Sequence, residues 1–258
     1  MSYDDVSTGY DQAWTNHMRD QTDRLIQSLP DRPAAGRILD LTCGTGYATR
    51  LLSEKYRTRC VGVDFSEGML QQARRGYSKH CEFVQSDVLL FLRSEAAASA
   101  HLITCCWGLG YSHPRTVLRE VARVLKPGGF AAIIDNSIFS LFEVAITSAL
   151  AFMWNPDQLK NLMKFRFLLG RLHCWALFRE QRLGVISSWS GRRSYSVHSG
   201  NEAIRALRAS GAAAGFEFAA EPEHRSEVFS RFAGLLDKRN RGRIRITHRY
   251  YAAIGIKE

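Results

Sequence analysis

The chain has 258 residues, 45% of them hydrophobic and 23% charged, with a formal net charge of +10. That length holds one large α/β domain, or one with an inserted cap, and the composition excludes a disordered chain. A basic balance fits nucleic acid, an anionic membrane surface or an acidic substrate. Here Lys and Arg are spread from Arg19 to Lys257, and only Lys238-Arg239-Asn240-Arg241-Gly242-Arg243 forms a cluster, so a solvated arginine-rich surface is the simpler reading.

The six cysteines (Cys43, Cys60, Cys81, Cys105, Cys106, Cys174) form no C-x-x-C pair and mostly sit in apolar runs. They read as buried reduced thiols, with neither a disulfide frame nor a metal site expected. The N-terminus lacks a basic-then-apolar leader. The longest apolar run, Ile138 to Trp154, contains Glu143 and is shorter than a spanning helix. A cytoplasmic protein is expected.

In chain order, Arg37–Leu41 is a strand running into a Gly-containing turn, and a helix follows over Ala48–Tyr56. Cys60–Phe65 is a second strand; Ser66 stands at the N-cap of the next helix, with Met69, Leu70 and Ala73 at helical spacing. Cys81–Val84 and His101–Trp107 are further strands. Val117–Leu125 is an amphipathic helix ended by Pro127-Gly128-Gly129, and Phe130–Ile134 is a fifth strand. Strands alternating with helices imply right-handed crossovers and a mostly parallel sheet covered on both faces. After Asp135 the rhythm breaks: residues 137–199 are rich in aromatics and helically patterned, with no strand of the earlier type. They read as an insertion over the ligand edge of the sheet. The α/β pattern resumes with a helix over Asn201–Ser210 and strands over Phe216–Ala219 and Ile244–Ile256.

The chemistry concentrates in Ile38-Leu-Asp-Leu-Thr-Cys-Gly-Thr-Gly-Tyr-Ala-Thr49. Gly44 and Gly46 let the backbone turn tightly and approach a ligand, and the following helix N-terminus favours a negative group. In open α/β sheets ligands bind outside the carboxyl ends of the strands. The third glycine of the dinucleotide fingerprint is missing, Thr49 standing there, and Asp40 precedes the loop, so NAD is disfavoured. Asp64 ends the second strand, where a carboxylate accepts both hydroxyls of a ribose. Asp87 ends the third, within reach of an adenine amino group, although by itself it reads as an N-cap. Together with the glycine loop they suit one nucleoside lying across adjacent strand ends.

These segments, with Val61-Gly-Val-Asp-Phe-Ser-Glu-Gly-Met-Leu, Gln85-Ser-Asp87 and Leu118-Arg-Glu-Val-Ala-Arg-Val-Leu-Lys-Pro-Gly-Gly129, resemble the class I S-adenosylmethionine-dependent methyltransferases over residues 35–136. The resemblance is to small-molecule enzymes such as the ubiquinone and menaquinone methyltransferases and glycine N-methyltransferase-like proteins. It departs at Thr42, which occupies the first glycine of the family's D-x-G-x-G-x-G loop. The resemblance implies a Rossmann-like, doubly wound sheet with helices on both faces and an antiparallel last strand. With the change of pattern after Asp135, a four-part organisation is expected: an N-terminal helical cap segment (1–34), a core that binds S-adenosylmethionine (35–136), a helical substrate-cap insertion (137–199) and a C-terminal completion of the sheet (200–258).

Carried onto this chain, the resemblance puts Asp40, Thr42, Gly44 and Gly46 at the methionine portion and Asp64 at the ribose. Phe65 and Met69 fall on the adenine plane, and Asp87 and Val88 on its edge. Trp107 and Gly108 flank the sulfonium, whose charge an aromatic face attracts. Tyr10, Trp14 and His17 fall on one face of an N-terminal helix; the tyrosine belongs near the cofactor and Trp14 on the acceptor side. Methyl transfer is an in-line displacement, so alignment dominates. A hydroxyl or carbon acceptor also needs a base. His113 and His17 are the candidates, with His173 and His198 also in or beside the insertion; an amine acceptor needs none. Asn136 is placed to hydrogen-bond substrate. The aromatic insertion, with Lys160, Lys164, Arg166 and Arg171, suggests an apolar metabolite bearing an anion, from natural-product or cofactor biosynthesis, while the same aromatics also serve simply to pack a cap. The alternatives are an RNA or protein methyltransferase and a non-catalytic ligand-binding protein. No nucleic-acid partner is expected, and a monomer and a homodimer both stay open.

Overall fold

A computed structural model describes residues 18–31, 36–153, 166–209, 220–240 and 243–258. Tyr10, Trp14, His17, Lys160, Lys164 and the strand expected over 216–219 lie outside the described residues.

The elements are α1 (Arg19–Gln27), β1 (Arg37–Leu41), α2 (Tyr47–Tyr56), β2 (Cys60–Asp64), α3 (Glu67–Tyr77), β3 (Cys81–Gln85), α4 (Val88–Ser94), β4 (Ala100–Cys106), a 3-10 turn (Leu109–Tyr111) and α5 (Pro114–Val124). After these come β5 (Leu125–Asn136), α6 (Phe142–Met153), α7 (Arg171–Glu180), β6 (Leu183–Val197), α8 (Gly200–Ala209), α9 (Arg225–Asn240) and β7 (Ile244–Lys257). They build one seven-stranded sheet in the order β3-β2-β1-β4-β5-β7-β6. The first five strands pair in parallel, and β7 runs antiparallel to β5. The order reverses at β1, whose neighbours are β2 and β4; this is where an α/β sheet opens a crevice at its carboxyl edge.

Strands β1, β2 and β4 are buried nearly throughout, β1 in the pattern of one exposed residue and then four buried, as strands covered on both faces require. Leu39, Ile103, Ile133, Val117, Leu118 and Val121 meet in the main core. The helix starts follow local chemistry. Ser66 caps α3 by accepting the Met69 N–H at 3.2 Å, as its sequence position predicts. Pro114 opens α5, where a missing N–H costs nothing.

The chain divides into two compact units. Of the described residues, one comprises 18–31, 36–138, 166–191 and 250–258; the other comprises 139–153, 192–209, 220–240 and 243–249. The second has its own core, in which Val144 and Ala151 of α6, Ala203, Ile204 and Leu207 of α8, and Phe229, Phe232 and Leu236 of α9 meet Ile244 and Ile246.

Two elements differ from expectation. Helices α6 and α7 follow β5 as anticipated, but residues 183–197 form β6, a strand within the supposedly strandless stretch. It closes the strand order at one end, and an edge strand with largely exposed residues needs neither an apolar run nor clean alternation. Helix α9 was also unannounced. Its apolar positions Val228, Phe229, Phe232, Ala233 and Leu236 carry it, and its last turn holds Lys238 and Arg239. Cations there complement the carbonyl end of the helix, which accounts for part of the basic cluster without a partner.

Candidate functional site

The carboxyl ends of the strands are tied together by main-chain bonds. Cys43 N–H donates to the Val63 carbonyl at 2.9 Å, Ser86 N–H to that of Asp64 at 3.0 Å, and Trp107 N–H to that of Ile134 at 2.7 Å. The loops after β1, β2, β3 and β4 therefore form one continuous edge.

Asp64 is its organising charge. One carboxylate oxygen accepts the Gly44 N–H at 2.8 Å and the other the Ser66 N–H at 2.9 Å. The residue is only half-buried. Beside it Phe65 is 77% exposed, an aromatic ring that no core contact explains. Gly44 has a φ of +55°, and a side chain there would meet nothing within 4 Å, so its face of the loop is open. Gly46 serves differently. Its φ is +84°, and a Cβ would fall 2.9–3.0 Å from the Phe83 ring and Ala73, so only glycine fits.

Asp40 lies beneath the loop rather than on its open face. It is fully buried, and its oxygens accept Thr49 Oγ1 at 2.6 Å and Thr104 Oγ1 at 2.7 Å. Burial raises its pKa to about 6 against the lowering pull of those hydroxyls, with the nearby Asp64 charge adding to the rise. Met69 and Val88 are likewise buried, at 2% and 8% exposure. Asp87 caps α4: its Oδ1 accepts the Leu89 and Leu90 N–H groups at 2.8 and 3.1 Å. Both bonds use one oxygen, and the residue is exposed.

Trp107 is half-buried with a φ of +63°. Its indole N–H donates to Thr22 Oγ1 at 2.8 Å, and its ring stands edge-on to Tyr250 at 5.9 Å. Tyr250 in turn donates to Gln21 Oε1 at 2.7 Å. Helix α1 is also tied to the loop helix, for Tyr47 donates to Asp23 at 2.6 Å and Arg19 lies 3.9 Å over the Tyr47 ring. His113 is exposed at the N-cap of α5 and makes no side-chain capping bond. His173 and His198 are exposed too. Asn136, at the end of β5, is half-buried opposite Tyr250.

Residues 38–129 match the family described as a methyltransferase domain. Over those residues the chain is similar to methyltransferase domains. It is 37% identical over 141 residues to a demethylmenaquinone methyltransferase of Clavibacter sepedonicus, covering 52% of this chain and 56% of that one. It is 33% identical over 158 residues to the putative methyltransferase YqeM of Bacillus subtilis, covering 58% and 62%. The chain thus spans a little over half the length of these relatives. The fold is also that of solved proteins: the YcgJ protein of Bacillus subtilis superposes with a TM-score of 0.63 at 18% identity, over 93% of this chain and 99% of that one.

Within this matched segment Thr42 holds the left-handed backbone that a glycine adopts freely, with φ +57°. Its hydroxyl compensates by donating to the Leu41 carbonyl at 2.5 Å, and it lies 3.3 Å from that of Cys106. Its side chain fills the space over Gly108, where an added Cβ would fall 2.5 Å from the Thr42 Cβ. Gly108→Ala is therefore expected to destabilise the domain by about 1–3 kcal/mol through overpacking. Adding Thr42→Gly should restore most of that loss, a coupling that urea denaturation of the single and double variants measures.

Sequence reasoning missed Gln21, Thr22 and Tyr250, which brace Trp107, and left the role of Asp135, beside Asn136, open. Asp135 is fully buried; it accepts the Gly110 N–H and its neighbour Asn136 N–H, both at 2.7 Å. It thereby fixes the turn after β4. Burial lifts its pKa to about 7 despite those bonds. The one available signal was an acid closing an otherwise apolar strand.

Proposed function

We propose that the protein transfers the methyl group of S-adenosylmethionine to a small apolar acceptor in cofactor or natural-product biosynthesis. The observation that carries this reading is the half-buried Asp64 carboxylate, held between the Gly44 and Ser66 amides beside an exposed phenylalanine. A ribose needs paired acceptors and an adenine needs an uncovered flat surface, and this edge offers both side by side. The open face at Gly44 leaves room for the rest of the cofactor.

Asp64 then takes the two ribose hydroxyls and Phe65 lies along the adenine. The uncommitted oxygen of Asp87 meets the adenine edge. Asp40 acts as a positioning residue, anchoring α2 through Thr49 and β4 through Thr104 so that the glycine loop keeps its shape. Trp107, held by Thr22 and Tyr250, presents its ring toward the sulfonium, with Gly108 leaving space beside it. When bound, the cofactor supplies an electrophilic methyl group on a cationic sulfur. The protein's part is to align the acceptor, exclude water and, for a hydroxyl or carbon acceptor, remove a proton. We assign that last role to His113, with Asn136 orienting the acceptor.

Similarity to a demethylmenaquinone methyltransferase supports a reduced quinone or another apolar ring as the first acceptors to try. With methyl-labelled S-adenosylmethionine, label is expected to pass to a member of a panel of naphthoquinols, phenols and amines. With a quinol or phenol, His113→Ala should lower kcat about 100-fold or more and leave cofactor affinity unchanged. Binding of the cofactor without transfer to any acceptor class would overturn the catalytic part of this reading.

A further inference from the structure

The second compact unit contains a cavity of about 240 Å3 with no part in the nucleoside edge described above. Its floor is the outer face of β7. Ile244, Ile246 and His248 point into that unit's core at 1%, 0% and 2% exposure, so strand alternation turns Arg245, Thr247 and Arg249 the other way. Its wall is the turn into α6, where Phe139 and Phe142 stay 48% and 53% exposed. Wall and floor are fastened together: Leu141 N–H donates to the Thr247 carbonyl at 2.9 Å, and Arg249 N–H to Ser140 Oγ at 3.2 Å.

Two features of this groove stand out. No hydrogen bond or ion pair among the described residues engages the guanidinium of Arg245 or Arg249. Two large aromatic side chains meanwhile remain uncovered directly beside them. Glu143 also lines the cavity, so its walls carry a net charge of about one positive unit; a carboxylate in the first helical turn is already favoured by the helix dipole. A guanidinium matches the planar oxygens of a carboxylate or phosphate, and the phenylalanines match a hydrocarbon. We infer that this groove is a binding site for an anion carried on an apolar chain, its headgroup between Arg245 and Arg249 and its chain along Phe139 and Phe142.

The inference is independent of methyl transfer and is tested without cofactor. The full-length protein is titrated calorimetrically with octanoate, octyl phosphate, octanol and inorganic phosphate, each below any micelle concentration. Saturable one-to-one binding is expected for octanoate or octyl phosphate, and the stronger of the two names the headgroup. Octanol and inorganic phosphate should each bind at least about tenfold more weakly. The double variant Arg245→Gln/Arg249→Gln should lose at least about tenfold in affinity for the anionic amphiphile. Both arginines are exposed, so the variant is expected to fold, and unchanged circular dichroism checks it. Equal binding of octanol, binding of inorganic phosphate as tight as the amphiphile's, undiminished binding by the double variant, or no binding at all would each overturn the inference.

Discussion

Asp64→Ala is expected to weaken binding of S-adenosylhomocysteine at least about a hundredfold and to lower kcat/KM for methyl transfer by a similar factor. Hydrogen bonds to a charged group contribute about 1.5–3 kcal/mol each, and two ribose hydroxyls on one carboxylate reach that hundredfold at the lower end of the range. The variant also releases the Gly44 and Ser66 N–H groups that Asp64 now accepts, so the open loop loses its brace as well as its acceptor. Asp64→Asn separates the two contributions. An amide oxygen still accepts from one of those N–H groups, but its NH2 faces the other. Asn is expected to fall between wild type and Ala in affinity, while Phe65→Ala, which leaves the brace intact, should cost only the stacking, about 1–3 kcal/mol. Equal affinities for wild type and Asp64→Ala would remove the ribose assignment.

The second large effect is on stability and depends on pH. Asp135 and Asp40 are buried acids lifted from 3.8 to about 7 and about 6, chiefly because burial penalises the charged form. Between pH 4 and 7 the folded chain holds protons there that the unfolded chain has released, so these two groups make stability fall as pH rises through that window. Below pH 4 both states are protonated and above about pH 7 both are ionised, and the contribution is flat. A tenfold change in proton affinity corresponds to about 1.4 kcal/mol, so Asp135 alone accounts for a few kcal/mol across the window. Replacing it with Asn imposes a constant cost, since one of the Gly110 and Asn136 N–H groups loses its acceptor, but it abolishes the pH dependence. The stability difference between wild type and Asp135→Asn is therefore expected to be largest near pH 4–5 and to shrink toward pH 8. Comparing the two proteins cancels the pH response of the rest of this basic chain. A difference that stays constant from pH 5 to 8 would mean that Asp135 is ionised throughout.

Much of the parallel core was legible because β1, β2 and β4 are buried on both faces and so read as short, mostly apolar runs between helices. The roles of single acids were less so. Asp40, Asp64 and Asp87 look alike as strand-terminal aspartates, yet one is sealed under the loop by two threonines, one braces its open face and one caps a helix. What separates them is the surrounding hydroxyls and amides, two of which, Thr104 and the Gly44 N–H, come from elements distant in sequence. Tyr250 escaped notice for the same reason: it meets Gln21 only because β7 inserts antiparallel beside β5, more than two hundred residues further along the chain. Met69 sits at helical spacing beside Leu70 and Ala73, and spacing alone does not distinguish a residue that faces the sheet from one that faces a ligand. The edge strand β6 carries serines and arginines on exposed positions, a pattern with no apolar period to detect.

The most direct test is a crystal structure of the protein with S-adenosylhomocysteine bound. Ligand density is expected along the carboxyl edge, with both ribose hydroxyls on Asp64, the adenine against Phe65 and the sulfur near Trp107 and Gly108. Ligand bound with its ribose away from Asp64, or an empty edge at a saturating concentration of ligand, would contradict this expectation.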